Sequence, residues 1–202
     1  MLLAAEHLSI NFGTRQLLSD VNFYLEEGKK AGVIGINGTG KSTFLKVLAG
    51  VLEPDAGRIT RNPNIQISYL PQNPVMEDSA TVLEQVFLHF PKEFRELSEY
   101  EAKSMLMKLG LSDFDQRVGT LSGGQRKRVA LVAALVHPAD ILILDEPTNH
   151  LDSEMVAWLE DWLRSFRGGL IMVTHDRYFL ERVVNHITEL SRGKIYHYEA
   201  NY

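Results

Sequence analysis

The sequence has no cysteine in its 202 residues. This absence excludes a disulfide framework and a thiolate metal site, and it fits a reducing compartment such as the cytosol. Long apolar runs are also missing, because even the run VALVAALV falls far short of the roughly 20 residues that a membrane-spanning helix needs. The first residues, MLLAAEHLSI, lack a charged n-region and a small-residue cleavage site, so we expect no signal peptide. We therefore expect a cytoplasmic protein with no direct membrane insertion.

Excess positive charge is absent too, since 21 lysines and arginines stand against 26 aspartates and glutamates and give a formal net charge of −5. Bulk charge therefore gives no support for nucleic-acid binding, and any such contact has to be local. The sequence does contain a globular balance of 45% hydrophobic and 23% charged residues, without internal repeats or low-complexity segments. At this length we expect one domain, residues 1–202, with its own core.

The apolar pattern predicts an α/β fold with a mostly parallel sheet. Residues 7–13 and 17–28 alternate apolar and polar positions at period two, which predicts an N-terminal antiparallel hairpin. Continuous apolar runs at 31–36, 140–146 and 169–175 predict strands that are buried on both faces. Helical patterns lie between these runs, and strands that alternate with helices form a parallel sheet. We therefore expect the ligand at the carboxyl ends of the strands.

Residues 77–118 have a different composition, rich in Glu, Lys, Leu and Met at helical spacing. We interpret them as a small helical subdomain which, with the helix that follows, forms an insertion of the sheet core at about 77–138. Shorter patterns predict the remaining elements: strands at 57–60, 65–70, 186–190 and 194–198, helices at 41–50 and 125–136, and further helices capped by Asp152 or Ser153 and by Asp176.

The segment GINGTGKS matches the phosphate-binding P-loop pattern G-x-x-x-x-G-K-[ST]. The glycines allow backbone N–H groups to converge on phosphates, and the following helix directs its positive dipole end at them. In this pattern Lys41 neutralises the β and γ oxygens, and Ser42 is a ligand of Mg²⁺. A glycine-rich turn before a helix is the alternative, but the apolar strand that precedes the motif favours nucleotide binding. The predicted ATP-binding residues are Gly35, Asn37, Gly38, Thr39, Gly40, Lys41, Ser42 and Thr43.

Two carboxylates, Asp145 and Glu146, end the buried strand ILILDE. Neighbouring residues at the end of a strand point in different directions, so the two can have different roles. We expect Asp145 to bind Mg²⁺ and Glu146 to orient and deprotonate the attacking water. An acidic pair of this kind is often only a helix cap or a solvated loop, but the upstream P-loop favours the catalytic interpretation.

Three other residues follow apolar strands. Gln72 and His175 should reach the edge of the sheet where a γ-phosphate and its water lie, so we expect His175 to contact the γ-phosphate and Gln72 to contact Mg²⁺ or the water. Phe12 follows a strand upstream of the P-loop and can stack on an adenine ring. The alternative for Phe12 is a core aromatic residue.

A second glycine-rich loop, LSGGQ, precedes a predicted helix. A hydroxyl, bare backbone and a helix dipole together suit a γ-phosphate. Helix capping explains Ser122 alone, but not the order and spacing of the whole set, which is Leu121, Ser122, Gly123, Gly124 and Gln125.

The P-loop, YLPQ, LSGGQ, ILILDEP, NHLD and THD occur in this order across nearly the whole chain, which closely resembles the ATP-binding cassette (ABC) ATPases. The resemblance implies a P-loop NTPase core with an N-terminal antiparallel β part and a small helical subdomain. It also implies that two cassettes pair head to tail. Each ATP, with Mg²⁺, is then held between the P-loop of one cassette and the LSGGQ loop of the other, and the loop carrying Asp152 contacts the partner.

DEPTNHLD and THDRYFLE resemble the ABC-F proteins, tandem-cassette ATPases of which many act on the ribosome, whereas transporter cassettes more often have SALD after the acidic pair. The resemblance implies that this chain is a first-cassette fragment, with a second cassette and the ribosome as partners. The chain departs from the family pattern because its residues 77–118 are compact and lack the helical insertion of many first cassettes. The motor subunit of an ABC transporter is the alternative. A binding module that scarcely hydrolyses ATP is a third, and Glu146 and His175 argue against it.

Overall fold

The computed structural model describes residues 1–36 and 38–199. Its strands are β1 (Leu3–Phe12), β2 (Arg15–Leu25), β3 (Lys30–Ile34), β4 (Ala56–Arg61), β5 (Ile67–Leu70), β6 (Ile141–Asp145), β7 (Gly169–Val173), β8 (His186–Ser191) and β9 (Lys194–Glu199). Its α-helices are α1 (Lys41–Ala49), α2 (Val82–Val86), α3 (Arg95–Lys108), α4 (Gly123–Val136), α5 (Ser153–Ser165) and α6 (Arg177–Val183). Short 3₁₀ turns occupy Lys92–Phe94 and Val118–Thr120.

The strands form two sheets. A six-stranded sheet has the order β5-β6-β7-β3-β8-β9, and all its pairs are parallel except β8 with β9. A three-stranded antiparallel sheet has the order β2-β1-β4. The predicted α/β architecture, with a mostly parallel sheet and an N-terminal antiparallel part, is confirmed.

Helix α1 packs in the core between the two sheets. Its apolar face, Phe44, Leu45, Val47 and Leu48, is buried together with residues of both sheets, as the spacing predicted. The helix ends at Gly50, whose φ of 82° lets its backbone N–H reach the carbonyl groups of the last turn. This packing fixes the start of α1, and hence the P-loop, against the carboxyl end of β3.

Helices α2 and α3 lie in the predicted helical subdomain and pack against α4. Helix α2 begins with a capping box in which Thr81 and Glu84 exchange side-chain-to-backbone hydrogen bonds. Helix α4 begins at Gly123, two residues before the predicted start, because Ser122 caps it. Within the described residues, no helix is long and apolar enough to cross a membrane.

Candidate functional site

An open cleft of about 610 Å³ lies at the edge of the six-stranded sheet where the parallel strands β3, β5, β6 and β7 end. Polar residues follow each of these strands, and the topology directs them to this edge. Most of the residues predicted to bind phosphate and metal and to act in catalysis meet there. Those that line the cleft are Gly38, Gly40, Lys41, Ser42, Thr43, Gln72, Asp145, Glu146 and His175, whereas Gly35 and Thr39 are not among its described lining residues. The structure thus brings together residues more than one hundred positions apart.

The P-loop between β3 and α1 depends on backbone that glycine adopts readily. Gly38 and Gly40 have φ of 84° and 88°, in the left-handed region. A Cβ at Gly35 would lie 2.7 Å from Thr39 Oγ1 and 2.8 Å from the Leu190 carbonyl oxygen, so only glycine fits there. Lys41 Nζ donates to the carbonyl oxygen of Gly35, which holds the ammonium group over the loop. Asn37, also predicted to bind ATP, lies outside the described residues.

Asp145 is buried, and neither of its carboxylate oxygens accepts a hydrogen bond of ordinary geometry within the described part of the chain. Burial raises the pKa of Asp145, while the nearby Ser42 hydroxyl and the ammonium groups of Lys46 and Lys41 oppose this shift. A buried carboxylate without a donor is costly unless a cation occupies its oxygens. Asp145 therefore has the surroundings of a metal ligand rather than of a helix cap.

The oxygen donors in the cleft fit Mg²⁺. Asp145, the hydroxyl of Ser42 and the side-chain amide of Gln72 all line it. The described residues include no group of three or more His, Cys, Asp or Glu that could hold a metal. Mg²⁺ does not need such a cage, because it takes one or two protein oxygens and completes its shell with water and phosphate oxygens.

Glu146 has a direct partner in His175. Its Oε1 lies 3.1 Å from His175 Nε2, and its Oε2 accepts a hydrogen bond of 3.2 Å from the backbone N–H of His175. Burial raises the pKa of Glu146, and the hydrogen bond from His175 opposes this. The carboxylate is thus held at the cleft by two contacts, while the His175 side chain is mostly exposed.

The backbone of Glu146 is in the left-handed region, with φ of 55°. The following Pro147 restricts the preceding residue toward extended conformations, so the sequence would have predicted the opposite. The backbone N–H of Glu146 donates a hydrogen bond of 2.7 Å to the Val173 carbonyl oxygen, which stabilises this conformation. Left-handed backbone at residues other than glycine is rare and concentrates at functional sites. Sequence reasoning missed both this conformation and the direct contact with His175.

The LSGGQ loop lies outside this cleft, whose described lining includes none of its five residues. Ser122 Oγ accepts from the backbone N–H of Gln125 at 3.1 Å, and Gln125 Oε1 accepts from the N–H of Ser122 at 2.9 Å. Leu121 is buried in the core, whereas a Cβ at Gly123 would meet nothing within 4 Å. Capping therefore accounts for Gln125 as well as Ser122, and the bare backbone of Gly123 remains free to approach a ligand.

The loop between β6 and α5 contacts the LSGGQ loop of the same chain. His150 in this loop has φ of 64°, and a Cβ at Gly124 would lie only 3.3 Å from His150 Cβ. A side chain at Gly124 would therefore crowd His150, a contact that sequence reasoning missed. Asp152 caps α5 by accepting from the N–H of Met155 at 2.9 Å, so its predicted contact with a partner has to coexist with this bond.

Phe12 ends β1 opposite Arg15 of β2. Its side chain is 75% exposed, so the alternative of a core aromatic residue is wrong. Stacking on adenine stays a prediction.

Comparison with known proteins agrees with this geometry. The family model described as ABC transporter matches residues 18–149. The uncharacterized ABC transporter ATP-binding protein YfmR of Bacillus subtilis is 41% identical over 238 aligned positions, which cover all of this chain and 38% of that protein. The energy-dependent translational throttle protein EttA of Haemophilus influenzae is 36% identical over 226 positions, covering 93% of this chain and 41% of that protein. The solved structure of an ATP binding subunit of an ABC transporter has a TM-score of 0.87 at 25% identity, covering 98% of this chain and 90% of that one.

The chain spans about two fifths of the length of these two curated relatives. The alignment with YfmR is longer than the 202 residues of this chain. YfmR therefore has additional residues within the aligned region.

Proposed function

The chain belongs to the ATP-binding cassette (ABC) family, and we propose that it is the first cassette of a tandem ABC-F protein that hydrolyses ATP during work on the ribosome. The cassette itself is a P-loop ATPase domain that uses ATP with Mg²⁺. The observation that carries the hydrolysis part of the proposal is the contact of Glu146 with His175 beside the P-loop, because a domain that only clamps ATP has no need of a held base.

The cleft residues divide the hydrolysis step between them. The P-loop amides and Lys41 hold the β- and γ-phosphates, and Glu146 accepts a proton from water as the water oxygen attacks the γ-phosphorus. The bond from the γ-phosphorus to its bridging oxygen breaks, which leaves ADP and inorganic phosphate. His175 orients the carboxylate of Glu146 through their contact. Ser42, Gln72 and Asp145 would hold Mg²⁺, which would neutralise charge on the phosphates.

The position of the LSGGQ loop supports action on a partner's nucleotide. The loop lies outside its own P-loop cleft and leaves the backbone of Gly123 open. Helix α4, which follows it, has fourteen residues, and the positive end of its dipole lies at this loop. In a head-to-tail pair the loop completes the partner's site, so each chain contributes two half-sites.

The name of EttA, a translational throttle protein at 36% identity over 93% of this chain, supports the ribosome as the partner and the cytoplasm as the location. The NHLD and THDRYFLE segments support the same subfamily. A transporter motor subunit is the second candidate, and the names of YfmR and of the similar solved structure favour it.

A steady-state ATPase assay tests the enzymatic part of the proposal. We expect Glu146→Gln to keep nucleotide binding but to lower kcat by about 100-fold or more, since the amide preserves the shape and removes the basicity. Lys41→Ala should lose nucleotide binding itself. Glu181→Gln, an exposed site on α6, is the matched control and should leave kcat unchanged. Turnover of Glu146→Gln near the wild-type value would contradict the role of Glu146.

A fractionation experiment tests the partner. The full tandem protein with Glu146→Gln in this cassette should be trapped with ATP and should cosediment with ribosomes, whereas the same protein with ADP should not. This cassette alone should bind ribosomes weakly and in a salt-sensitive way, because its net charge is negative. ATP-dependent recovery of the tandem protein with membranes instead of ribosomes would favour the transporter candidate.

A further inference from the structure

A second cavity adjoins the P-loop on the side of the N-terminal hairpin. This open cavity of about 460 Å³ lies between the start of β2, the P-loop and the turn that joins β8 to β9. Gly38 lines both this cavity and the cleft described above, so the two spaces meet at the P-loop. No residue predicted to act in catalysis or to bind metal lies among its described lining residues.

The charged residues among those lining this cavity are both arginines, Arg15 and Arg192, and no described acidic residue lines it. Within the described part of the chain, neither guanidinium group forms an ion pair or a hydrogen bond. Each guanidinium group carries a positive charge. Like charges on the walls of one cavity concentrate positive potential in it and favour an anion.

The Arg15 side chain lies next to the P-loop, and the turn that carries Arg192 is tied to β2. Arg15 lies with a guanidinium nitrogen, Nη1, 3.5 Å from where a Cβ at Gly38 would be, directly over the P-loop turn. Arg192 and Gly193 have φ of 51° and 77°, as in a two-residue hairpin turn that normally favours asparagine or aspartate at the first position. The carbonyl oxygen of Gly193 accepts a 2.8 Å hydrogen bond from the N–H of Ser19, which ties this turn to β2.

We propose that Arg15 and Arg192 bind the ribose and α-phosphate of the nucleotide whose β- and γ-phosphates occupy the P-loop. Phe12 lies opposite Arg15 at the end of the hairpin, and the cavity lies between that hairpin and the P-loop. A nucleotide with its base at Phe12 and its terminal phosphates on the P-loop must carry its ribose and α-phosphate through this space. The inference rests on the proposed ATP binding at the P-loop and on the predicted stacking of the base on Phe12. It assigns the arginines to the ribose and the α-phosphate, which ATP and ADP share.

Nucleotide titrations of Arg15→Gln, Arg192→Gln and the double variant test this assignment, with ATP, ADP and inorganic pyrophosphate as the ligands. We expect each single variant to weaken binding of ATP and of ADP by the same factor, about 3- to 10-fold, because each removes one charge-assisted contact at a partly exposed site. Pyrophosphate fills only the P-loop part of the site, so its affinity should not change. Arg58→Gln on β4, an exposed arginine outside this cavity, is the matched control and should bind all three ligands normally.

Each other outcome overturns the assignment in a different way. Equal affinities in variants and wild type would show that the arginines do not contact nucleotide. Loss of ATP binding alone would place the contact at the γ-phosphate, and an equal loss for pyrophosphate would show a general effect on the P-loop. Lys41→Ala separates this inference from the proposed function, because it should lose all three ligands. Wild-type protein that binds no ATP would overturn the proposed function together with the inference, and thermal melts confirm that each variant is folded.

Discussion

At the scale of single residues, the adjacent carboxylates Asp145 and Glu146 have opposite surroundings. Asp145 ends its strand in extended backbone and is buried, and its oxygens accept no hydrogen bond of ordinary geometry from the described residues, whereas Glu146 turns into the left-handed region and contacts His175. The change of backbone direction between neighbours separates a carboxylate suited to a cation from one suited to a proton. In the proposed mechanism, one strand end therefore supplies both functions.

Asp145 should destabilise the metal-free fold at neutral pH. In the unfolded chain its carboxyl ionises near its ordinary pKa of about 3.9, whereas burial raises its pKa in the folded state. Ionisation therefore weakens the fold, an effect that is absent below the ordinary pKa and grows as pH rises through the folded-state pKa. In EDTA at pH 7, Asp145→Asn should raise the Tm by about 2–4 °C, equivalent to about 1 kcal/mol in a domain of this size.

The matched control is Asp115→Asn, an exposed carboxylate whose replacement should leave the Tm unchanged. The gain in Tm from Asp145→Asn should shrink as the pH falls toward about 3.9, the ordinary pKa of aspartate. A lower Tm for Asp145→Asn at pH 7 would mean that the carboxylate stabilises the apo fold, and the metal-ligand interpretation would lose its physical basis.

Phe12 tests whether an exposed aromatic residue binds the base. Because 75% of its side chain is exposed, Phe12→Ala should not lower the Tm. Base–aromatic stacking contributes about 1 to 3 kcal/mol, so ATP binding should weaken roughly 5- to 150-fold in a fluorescent-nucleotide titration. Tyr100→Ala on α3, which removes another exposed ring, is the control. Equal affinity in Phe12→Ala would show that the ring does not contact the nucleotide.

At the scale of elements, most of the sheet and the positions of the cleft residues were predictable. Apolar runs identify buried strands, and parallel strands bring the residues that follow them to one edge, so Gln72 and His175 could be placed beside the P-loop. The contact of Glu146 with His175 was not predictable, because it depends on a left-handed residue before proline. Nor was the cavity between β2 and the β8–β9 turn, because Arg15 and Arg192 lie far apart in sequence and meet only through the packing of these strands.

Helix α4 shows how one residue can serve both folding and function. The hydroxyl of Ser122 caps the helix, so loss of activity in Ser122→Ala could come from loss of the cap. Ser122→Asp separates the two roles, since aspartate caps as well as serine and its charge favours a helix N-terminus. We expect Ser122→Asp to keep its Tm but to lower ATPase activity about 100-fold through repulsion of the partner's γ-phosphate.

Ser122→Asn is the matched control for this experiment, because asparagine also caps a helix but adds no charge. It should retain much more ATPase activity than Ser122→Asp at equal stability. Equal, near-normal activity of the two variants would show that position 122 acts only as a cap.

At the scale of the whole molecule, the two glycine-rich loops of one chain lie at different places. The P-loop lies in the cleft with Glu146 and His175, whereas the LSGGQ loop lies outside it, next to the loop that carries His150. Under the proposed function, the LSGGQ loop of one chain completes the nucleotide site of another. Pairing is then a condition for hydrolysis.

Mixing two inactive variants tests this condition. Lys41→Ala disables the P-loop, and Ser122→Arg blocks the LSGGQ loop, so a pair of identical variants contains one damaged half in every site. A mixed pair has one doubly damaged site and one site with an intact P-loop and an intact LSGGQ loop. We therefore expect ATPase activity to return on mixing at high protein concentration, where mass action favours pairs, and to stay below the wild-type level. Absence of recovery, although crosslinking shows mixed pairs, would contradict shared sites unless both sites must work together. A tandem protein with one intact composite site settles that case, because activity there would restore the shared-site interpretation and its absence would show that hydrolysis needs both sites.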